Sequence, residues 1–406
     1  MTWYTELAER YGTPLYVYDL DRVAAARRDL LATLPDEVDL FYAVKANPHP
    51  EVARAVRGDG RVRAEISSTG ELAAALAAGF DPAGCLYTGP GKTTGELHEA
   101  IERGVRTFSV ESLGDLRRIG AVASRHGVVA DGVLRINSAS ARATTSIRMT
   151  GAPSQFGIDS ETLPALLGEL SSVPGTRIAG AHFFPLSNAK DEASLTAEFQ
   201  HTISLAAQLH EELGLPLRLL DIGGGFSAPY AVPGSRAEYE KLRVELENEL
   251  DTYFSGWRQG GPRIACESGR YLVGDSGTLL CGVVNVKESR GRRFVILDGG
   301  INTFGGMSGL GRLLPAAVRL DGETPTETAS LVGPLCTPGD VLGREVEVPA
   351  LRTGDVLEIP NAGAYGPTAS LLAFLGRPAP AEVVVRGTEV VSVSRLEYHR
   401  SYGEPA

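Results

Sequence analysis

The sequence predicts an α/β fold in which a (β/α)8 barrel is joined to a mainly antiparallel β-domain. Between about residue 25 and residue 270, short apolar runs rich in β-branched residues alternate with Ala-, Leu-, Glu- and Arg-rich helical stretches. That alternation is the pattern of repeated strand–helix units around a parallel sheet. From Tyr271 onward, strand-like runs are separated by Gly, Pro and Asp, with few helical stretches, as in an antiparallel sheet. A chain of 406 residues is also too long for one hydrophobic core, so two domains are expected.

In chain order, an early strand at 15–18 precedes the barrel and is expected to pair into the later sheet. The barrel strands are expected at 40–44, 62–66, 85–88, 107–110, 132–136, 178–183, 217–222 and 263–266. The clearest helices between them are 71–78, 113–123, 195–213 and 238–250. Eight such units match the size of a (β/α)8 barrel. Strands at 277–286, 294–298, 356–359 and 382–385 belong to the second domain. The expected division is 25–270 for the barrel, and 1–24 with 271–406 for the β-domain. No repeats or coiled-coil heptads interrupt it.

Composition narrows the function. Hydrophobic content of 43% and charged content of 22% are ordinary for a globular enzyme. A net charge of −11 argues against nucleic acid as the main partner, because phosphate backbones need a basic surface. No run approaches the roughly 18 apolar residues of a transmembrane helix, and the opening Met1-Thr2-Trp3-Tyr4-Thr5-Glu6 lacks a signal-peptide pattern. Cys85, Cys266, Cys281 and Cys336 are widely spaced, without metal-knuckle spacing. The expectation is a reduced, cytoplasmic protein with no metal.

The active site of such a barrel lies at the carboxyl ends of its strands. The first ends at Lys45 in Tyr42-Ala43-Val44-Lys45-Ala46-Asn47. An ammonium is costly to bury, and one chemistry that uses a lysine so placed is a Schiff base with pyridoxal phosphate. The second strand ends at Glu65-Ile66-Ser67-Ser68, the fifth at Arg135, and the sixth at His182-Phe183-Phe184-Pro185-Leu186-Ser187. The seventh ends at Asp221-Ile222-Gly223-Gly224-Gly225-Phe226 and the eighth at Glu267-Ser268-Gly269-Arg270. Three glycines after a strand expose backbone N–H groups with no Cβ in the way, a nest for a phosphate. Arg270 can add bidentate charge and Ser187 a further hydrogen bond. Glu267, facing a pyridine nitrogen, would keep it protonated and the ring electron-poor. Singly, the glycines also fit a tight turn, and Glu267 and Arg270 a structural ion pair. Their joint placement at successive strand ends favours a cofactor site.

On these motifs the chain resembles, over essentially its whole length, the fold-type III pyridoxal-phosphate-dependent decarboxylases, which include the diaminopimelate, ornithine and arginine decarboxylases. The resemblance implies the alanine racemase/ornithine decarboxylase-like pairing of barrel and β-domain. It makes Lys45 in YAVKAN the Schiff-base lysine. Gly223, Gly224 and Gly225 in DIGGGF, and Glu267, Gly269 and Arg270 in ESGR, bind the cofactor. Glu65, Arg135, Phe184 and Ser187 complete its surroundings, and Tyr365 in NAGAYG contacts its phosphate. Cys336 in GPLCTPGD returns a proton to the substrate carbon after CO2 leaves. Family members are head-to-tail homodimers, with the GPLC segment reaching into the partner's active site. Asp340, four residues after Cys336, holds the loop, tunes the thiol or contacts substrate.

The departures from the family pattern concern the substrate. Diaminopimelate and ornithine decarboxylases carry an acidic residue after the cysteine, which recognises a distal ammonium. Here that residue is Thr337, so a cationic tail would be poorly compensated on desolvation. A tail that is neutral, an amide or a thioester is expected. The family's ring-stacking histidine falls at Phe184, with His182 two residues earlier, and both remain candidates for that place. The usual glycine before Ser187 is Leu186, and Glu65 stands where many relatives have aspartate. CTPGD and Ser154-Gln155-Phe156-Gly157-Ile158 are most similar to the branch that decarboxylates amino acids attached to acyl carrier proteins, as in butirosin-type antibiotic biosynthesis. Arg135, Arg142 and Arg148 form a basic stretch in an acidic chain. They suit either docking of an acidic carrier, with Arg148 near the substrate, or an ordinary solvated loop. Other readings are a free-amino-acid decarboxylase acting on diaminopimelate, a racemase, and a non-catalytic pyridoxal-phosphate-binding regulator.

Overall fold

The computed structural model describes residues 2–138, 153–189, 191–305 and 325–403. The chain divides into two compact units. One comprises Ala24–Ala228 and Arg236–Leu272; the other comprises Met1–Val23, Pro229–Ser235 and Val273–Ala406. Strand β1 (Leu15–Asp19) belongs to the second of these.

The first unit is a closed barrel. Its strands in chain order are β2 (Val38–Ala43), β3 (Val62–Ile66), β4 (Leu86–Tyr87), β5 (Thr107–Val110), β6 (Ala130–Asn137), the two-residue β7 (Ile158–Asp159), β8 (Thr176–His182), β9 (Leu219–Asp221) and β10 (Arg263–Ser268). The spatial order is β2-β3-β4-β5-β6-β8-β9-β10, and β10 pairs with β2 to close the ring, every pairing parallel. The short β7 pairs with the end of β6. Barrel strands are buried on both faces, so they read as continuous apolar runs rather than alternating ones. Phe41, Leu86, Val133 and Leu219 meet inside with Ala265. The first four come from alternate strands around the ring, which is the layered filling of a packed barrel.

The barrel helices begin where a side chain caps them: Ser68, Thr93, Ser112 and Asp191 each accept a hydrogen bond from a first-turn N–H. Such a cap contributes about 1 kcal/mol. The helix expected at 238–250 instead spans Leu242–Tyr253. Its start lacks a cap of its own, and Glu192 Oε1 accepts hydrogen bonds from Lys241 N (2.7 Å) and Leu242 N (2.9 Å). A residue of the preceding helix, Glu192–Leu213, therefore sets this boundary. The ladders at β4 and β9 are shorter than expected, but Thr88 N and Ile222 N extend them by one bond each, to Ile66 O and Ala265 O.

The second unit is mainly antiparallel. Its later strands are β11 (Gly277–Ser289), β12 (Arg292–Leu297), β13 (Glu327–Val332), β14 (Val341–Val348), β15 (Val356–Ile359), β16 (Ala381–Arg386) and β17 (Glu389–Arg395). The sheet order is β14-β13-β12-β11-β1-β16-β17, with β15 also on β11. Strand β1 sits mid-sheet, antiparallel to β11 (Leu15 opposite Leu280) and parallel to β16 (Leu15 opposite Ala381). Leu7, Ala8, Leu15, Val17, Leu280, Ala381, Val383 and Val385 form its core. Leu7 and Ala8 come from the helix Trp3–Tyr11.

Candidate active site

Register sets the rim of the barrel. Ala43 lies opposite Glu65, Arg135 opposite His182, and His182 opposite Asp221. Glu267 lies opposite Phe41 on the other side of the closure. Residues far apart in sequence therefore share one end of the barrel.

After β2 the chain makes a tight turn at Val44–Ala46, closed by Asn47 N to Val44 O (3.0 Å) and by Tyr42 Oη to Asn47 O (2.8 Å). This turn presents Lys45, whose side chain is 42% exposed while its partner Glu65 is 1% exposed. Lys45 Nζ donates to both Glu65 oxygens, at 3.2 and 3.0 Å. Glu65 also accepts hydrogen bonds from the Ser67 and Thr88 hydroxyls. An immobile buried carboxylate thus aims an accessible amine.

Phe184 is half-buried between two cations, with its ring centre 5.9 Å from Lys45 Nζ and 5.9 Å from the Arg135 guanidinium. Arg135 also lies 4.5 Å over the ring of Phe156 and pairs with buried Glu111 at 3.3 Å. Glu111 accepts a hydrogen bond from Gly157 N (2.7 Å), which ties the Phe156 loop to the rim. His182 is buried elsewhere: Nδ1 lies 2.7 Å from Ser109 Oγ and Nε2 lies 3.1 Å from Glu267 Oε1. Phe184, not His182, is the ring beside Lys45.

The glycine turn after β9 is closely packed. Gly223 has φ +82°, and a Cβ there would come 2.4 Å from Phe183 O; at Gly224 it would come 2.5 Å from Glu267 O. Only glycine leaves this backbone open. Ser187 is half-buried, and Ala189 N donates to Gly225 O (2.8 Å), folding the Ser187 loop against the glycines. Gly269 packs close to Ala46, where a Cβ would lie 3.0 Å from the alanine methyl, and Arg270 opens the short helix Arg270–Val273.

Glu267 and Asp221 are buried carboxylates. Burial alone would raise Glu267, but the bond to and charge of His182 reverse this and hold it below the usual range. Asp221 is pushed up to about 7 by burial and by the Glu267 charge.

In the β unit, Cys336 is exposed. Its loop is held by Asp340, which is 3% exposed and accepts hydrogen bonds from Ile301 N (2.8 Å) at Oδ1 and Leu335 N (2.7 Å) at Oδ2. Asp340 is thus a buried clamp for the loop, one of the roles expected of it. Thr337 is half-buried on the same loop. Tyr365 takes φ +53°, a conformation rare outside glycine, and its carbonyl accepts from Tyr230 Oη (3.2 Å). Arg142 and Arg148 lie outside the described residues.

Sequence reasoning passed over Ser109, Glu111 and Thr88. Each sits at a strand end, but none belongs to a contiguous motif. Among the described residues, no helix is long and apolar enough to cross a membrane.

Residues 20–274 match the family model described as the pyridoxal-dependent decarboxylase, pyridoxal binding domain. The chain belongs to this family, whose members are pyridoxal-phosphate-dependent decarboxylases. It is 32% identical over 394 residues to the L-glutamyl-(BtrI acyl-carrier protein) decarboxylase of Niallia circulans, covering 94% of this chain and 91% of that one. It is 32% identical over 399 residues to the diaminopimelate decarboxylase of Methanothermobacter thermautotrophicus, covering 97% and 91%. The structure of the Helicobacter pylori diaminopimelate decarboxylase complexed with L-lysine superposes with a TM-score of 0.80 at 26% identity, covering 97% of this chain and 95% of that one. The rim fits the cofactor: the glycine turn is a cradle that any Cβ would fill, an amine stands at a strand end, and a buried carboxylate is held ionised.

Proposed function

We propose that this decarboxylase removes the α-carboxylate of an amino acid whose tail carries no ammonium and is presented as a thioester on an acyl carrier protein. The observation that carries this reading is Thr337 directly after Cys336, where a carboxylate would be needed to accompany a buried ammonium. The similarity to a carrier-protein-dependent glutamyl decarboxylase supports it.

Lys45 would be the attachment point for pyridoxal phosphate. Gly223, Gly224, Gly225, Ser187, Arg270 and Tyr365 would hold its phosphate, Phe184 would lie against its ring, and Glu267 would serve its pyridine nitrogen. When bound, the cofactor supplies an electron sink for the pair left on Cα as CO2 departs. Glu65 keeps the Lys45 amine oriented, and Arg135 is fixed beside the Phe184 ring by Glu111 and Phe156. Cys336 of the partner subunit would return a proton to Cα, which would make the active unit a homodimer. The carrier docks on the basic stretch that includes Arg148.

A second reading, decarboxylation of free diaminopimelate, is favoured by the equally high identity to diaminopimelate decarboxylases. The test is CO2 release across a panel of free amino acids and of the same acids thioesterified to a carrier protein, with products identified by mass. Turnover confined to tethered acids is expected; turnover on free diaminopimelate would establish the second reading instead.

A further inference from the structure

Three neighbouring barrel strands deliver ionisable groups to one buried point: His182 from β8, Asp221 from β9 and Glu267 from β10. One polar atom of each lies within 4.8 Å of those of the other two, and the residues are 1%, 0% and 3% exposed. Asp221 Oδ1 accepts a hydrogen bond from Gly223 N (2.9 Å), while Oδ2 has no hydrogen-bond partner among the described residues. His182 Nδ1 is held by Ser109 Oγ, while Nε2 lies 3.1 Å from Glu267 Oε1, an ion-pair distance without the alignment of a hydrogen bond.

Two carboxylates and an imidazole cannot keep their ordinary charges in such a place, because an uncompensated buried anion is strongly disfavoured. The cluster is neutral with two protons, provided one completes an imidazolium at His182, the other sits on an acid, and one carboxylate stays ionised. The neighbours decide which acid. Glu267 is favoured as the anion by His182, Lys45 and Arg135. Asp221 faces Glu267 and Glu65, with only His182 and the Gly223 N–H to offset them. Burial opposes protonation of His182 most and the Arg135 charge adds to it, but Glu267 and Asp221 outweigh both.

We propose that His182 is a positioning residue for Glu267: as an imidazolium seated between Ser109 and Glu267, it keeps Glu267 ionised and in one orientation, while Asp221 carries the second proton. This rests on the reading of Glu267 as the carboxylate facing the pyridine nitrogen. It gives the buried histidine a task other than ring stacking, and explains how a carboxylate can remain an anion when closed off from water.

The first test is 15N NMR of the holoenzyme labelled at its 7 histidines, with His182→Gln to assign the resonance. Two protonated ring nitrogens at pH 7 are expected, and Asp221→Asn, which copies the protonated acid, should leave that signal in place. A neutral His182 ring at pH 6 would overturn the proposal on the wild-type spectrum alone. Loss of the imidazolium in Asp221→Asn would overturn the placement of the second proton. A stoichiometric divalent metal found by elemental analysis of the purified enzyme would overturn both.

The second test is the dissociation constant for pyridoxal phosphate as a function of pH. His182→Gln should weaken binding roughly tenfold, the scale of one hydrogen bond to a charged group, and change the pH profile. An unchanged constant and profile would overturn the link from His182 to Glu267. If instead Glu267→Gln left binding untouched while His182 remained an imidazolium, the reading of Glu267 would fail and the buried ion pair would stand.

Discussion

The barrel rim and the Cys336 loop handle their reactive groups in opposite ways. At the rim, charged side chains are partnered by other charged side chains: Lys45 by Glu65, Arg135 by Glu111, and His182 by Glu267. In the β unit, the exposed thiol of Cys336 is carried on a loop held by backbone N–H groups donating to Asp340. A site suited to a charged cofactor needs fixed charges, and side-chain pairs anchored at strand ends by a buried carboxylate supply them. A thiol proposed to deliver a single proton needs only access and a fixed position, and a clamped loop supplies both.

This contrast is testable. The largest expected effect is at Lys45: Lys45→Ala should lower kcat on the order of 10,000-fold and abolish covalent cofactor attachment, seen as loss of the bound chromophore. Multiple turnovers by this variant would exclude Lys45 as the attachment point.

Next is Cys336→Ala, which should lower kcat about 100- to 10,000-fold without displacing the cofactor. Mixing inactive Lys45→Ala and Cys336→Ala proteins sharpens the comparison. If the two groups act across a dimer, about a quarter of wild-type activity returns, since half the dimers are mixed and each of those has one intact site. No recovery in subunits shown to exchange would place both groups in one chain's site.

The two supports should fail differently. Gly224→Ala forces a methyl to within 2.5 Å of Glu267 O, an overpacking expected to cost about 1–3 kcal/mol and to appear as weaker cofactor binding. Asp340→Ala strands the N–H groups of Leu335 and Ile301, at about 1–3 kcal/mol for each buried donor. It should lower kcat while leaving cofactor affinity in place; equal loss of both would argue against a loop-specific role.

The last effect is on stability against pH and leaves the reacting groups untouched. Asp221 is raised to about 7 from an ordinary value of 3.8, so the folded state holds a proton that the unfolded state releases between those values. The stability it contributes is complete below about 4 and is lost as pH rises to about 7. Thermal unfolding should therefore show a barrel less stable at pH 7 than at pH 5, and Asp221→Asn should flatten that slope. An unchanged slope would mean that Asp221 is ionised throughout.

Much of this was legible before any coordinates. Lys45, the three glycines and Glu267-Ser268-Gly269-Arg270 are contiguous motifs at strand ends, and a strand end can be read from the apolar run before it. The edges of elements were harder. The helix expected at 238–250 begins at Leu242 because Glu192, about fifty residues earlier, caps it; no local signal carries that information. Strands β13, β14 and β17 came only with the structure, since short polar-edged strands are recognised by their partners as much as by their composition.

By itself the sequence determined the alternation of strand and helix, the change of texture at Tyr271, the family, and the motifs at the strand ends, because each depends on residues adjacent in the chain. Only the tertiary structure decided that Asp340 is a clamp, that Phe184 rather than His182 stands beside Lys45, and that His182, Asp221, Glu267 and Ser109 share one buried site. Those facts depend on register between strands that are neighbours in space and far apart in sequence. The burial that makes their charges interact exists only once the barrel is closed.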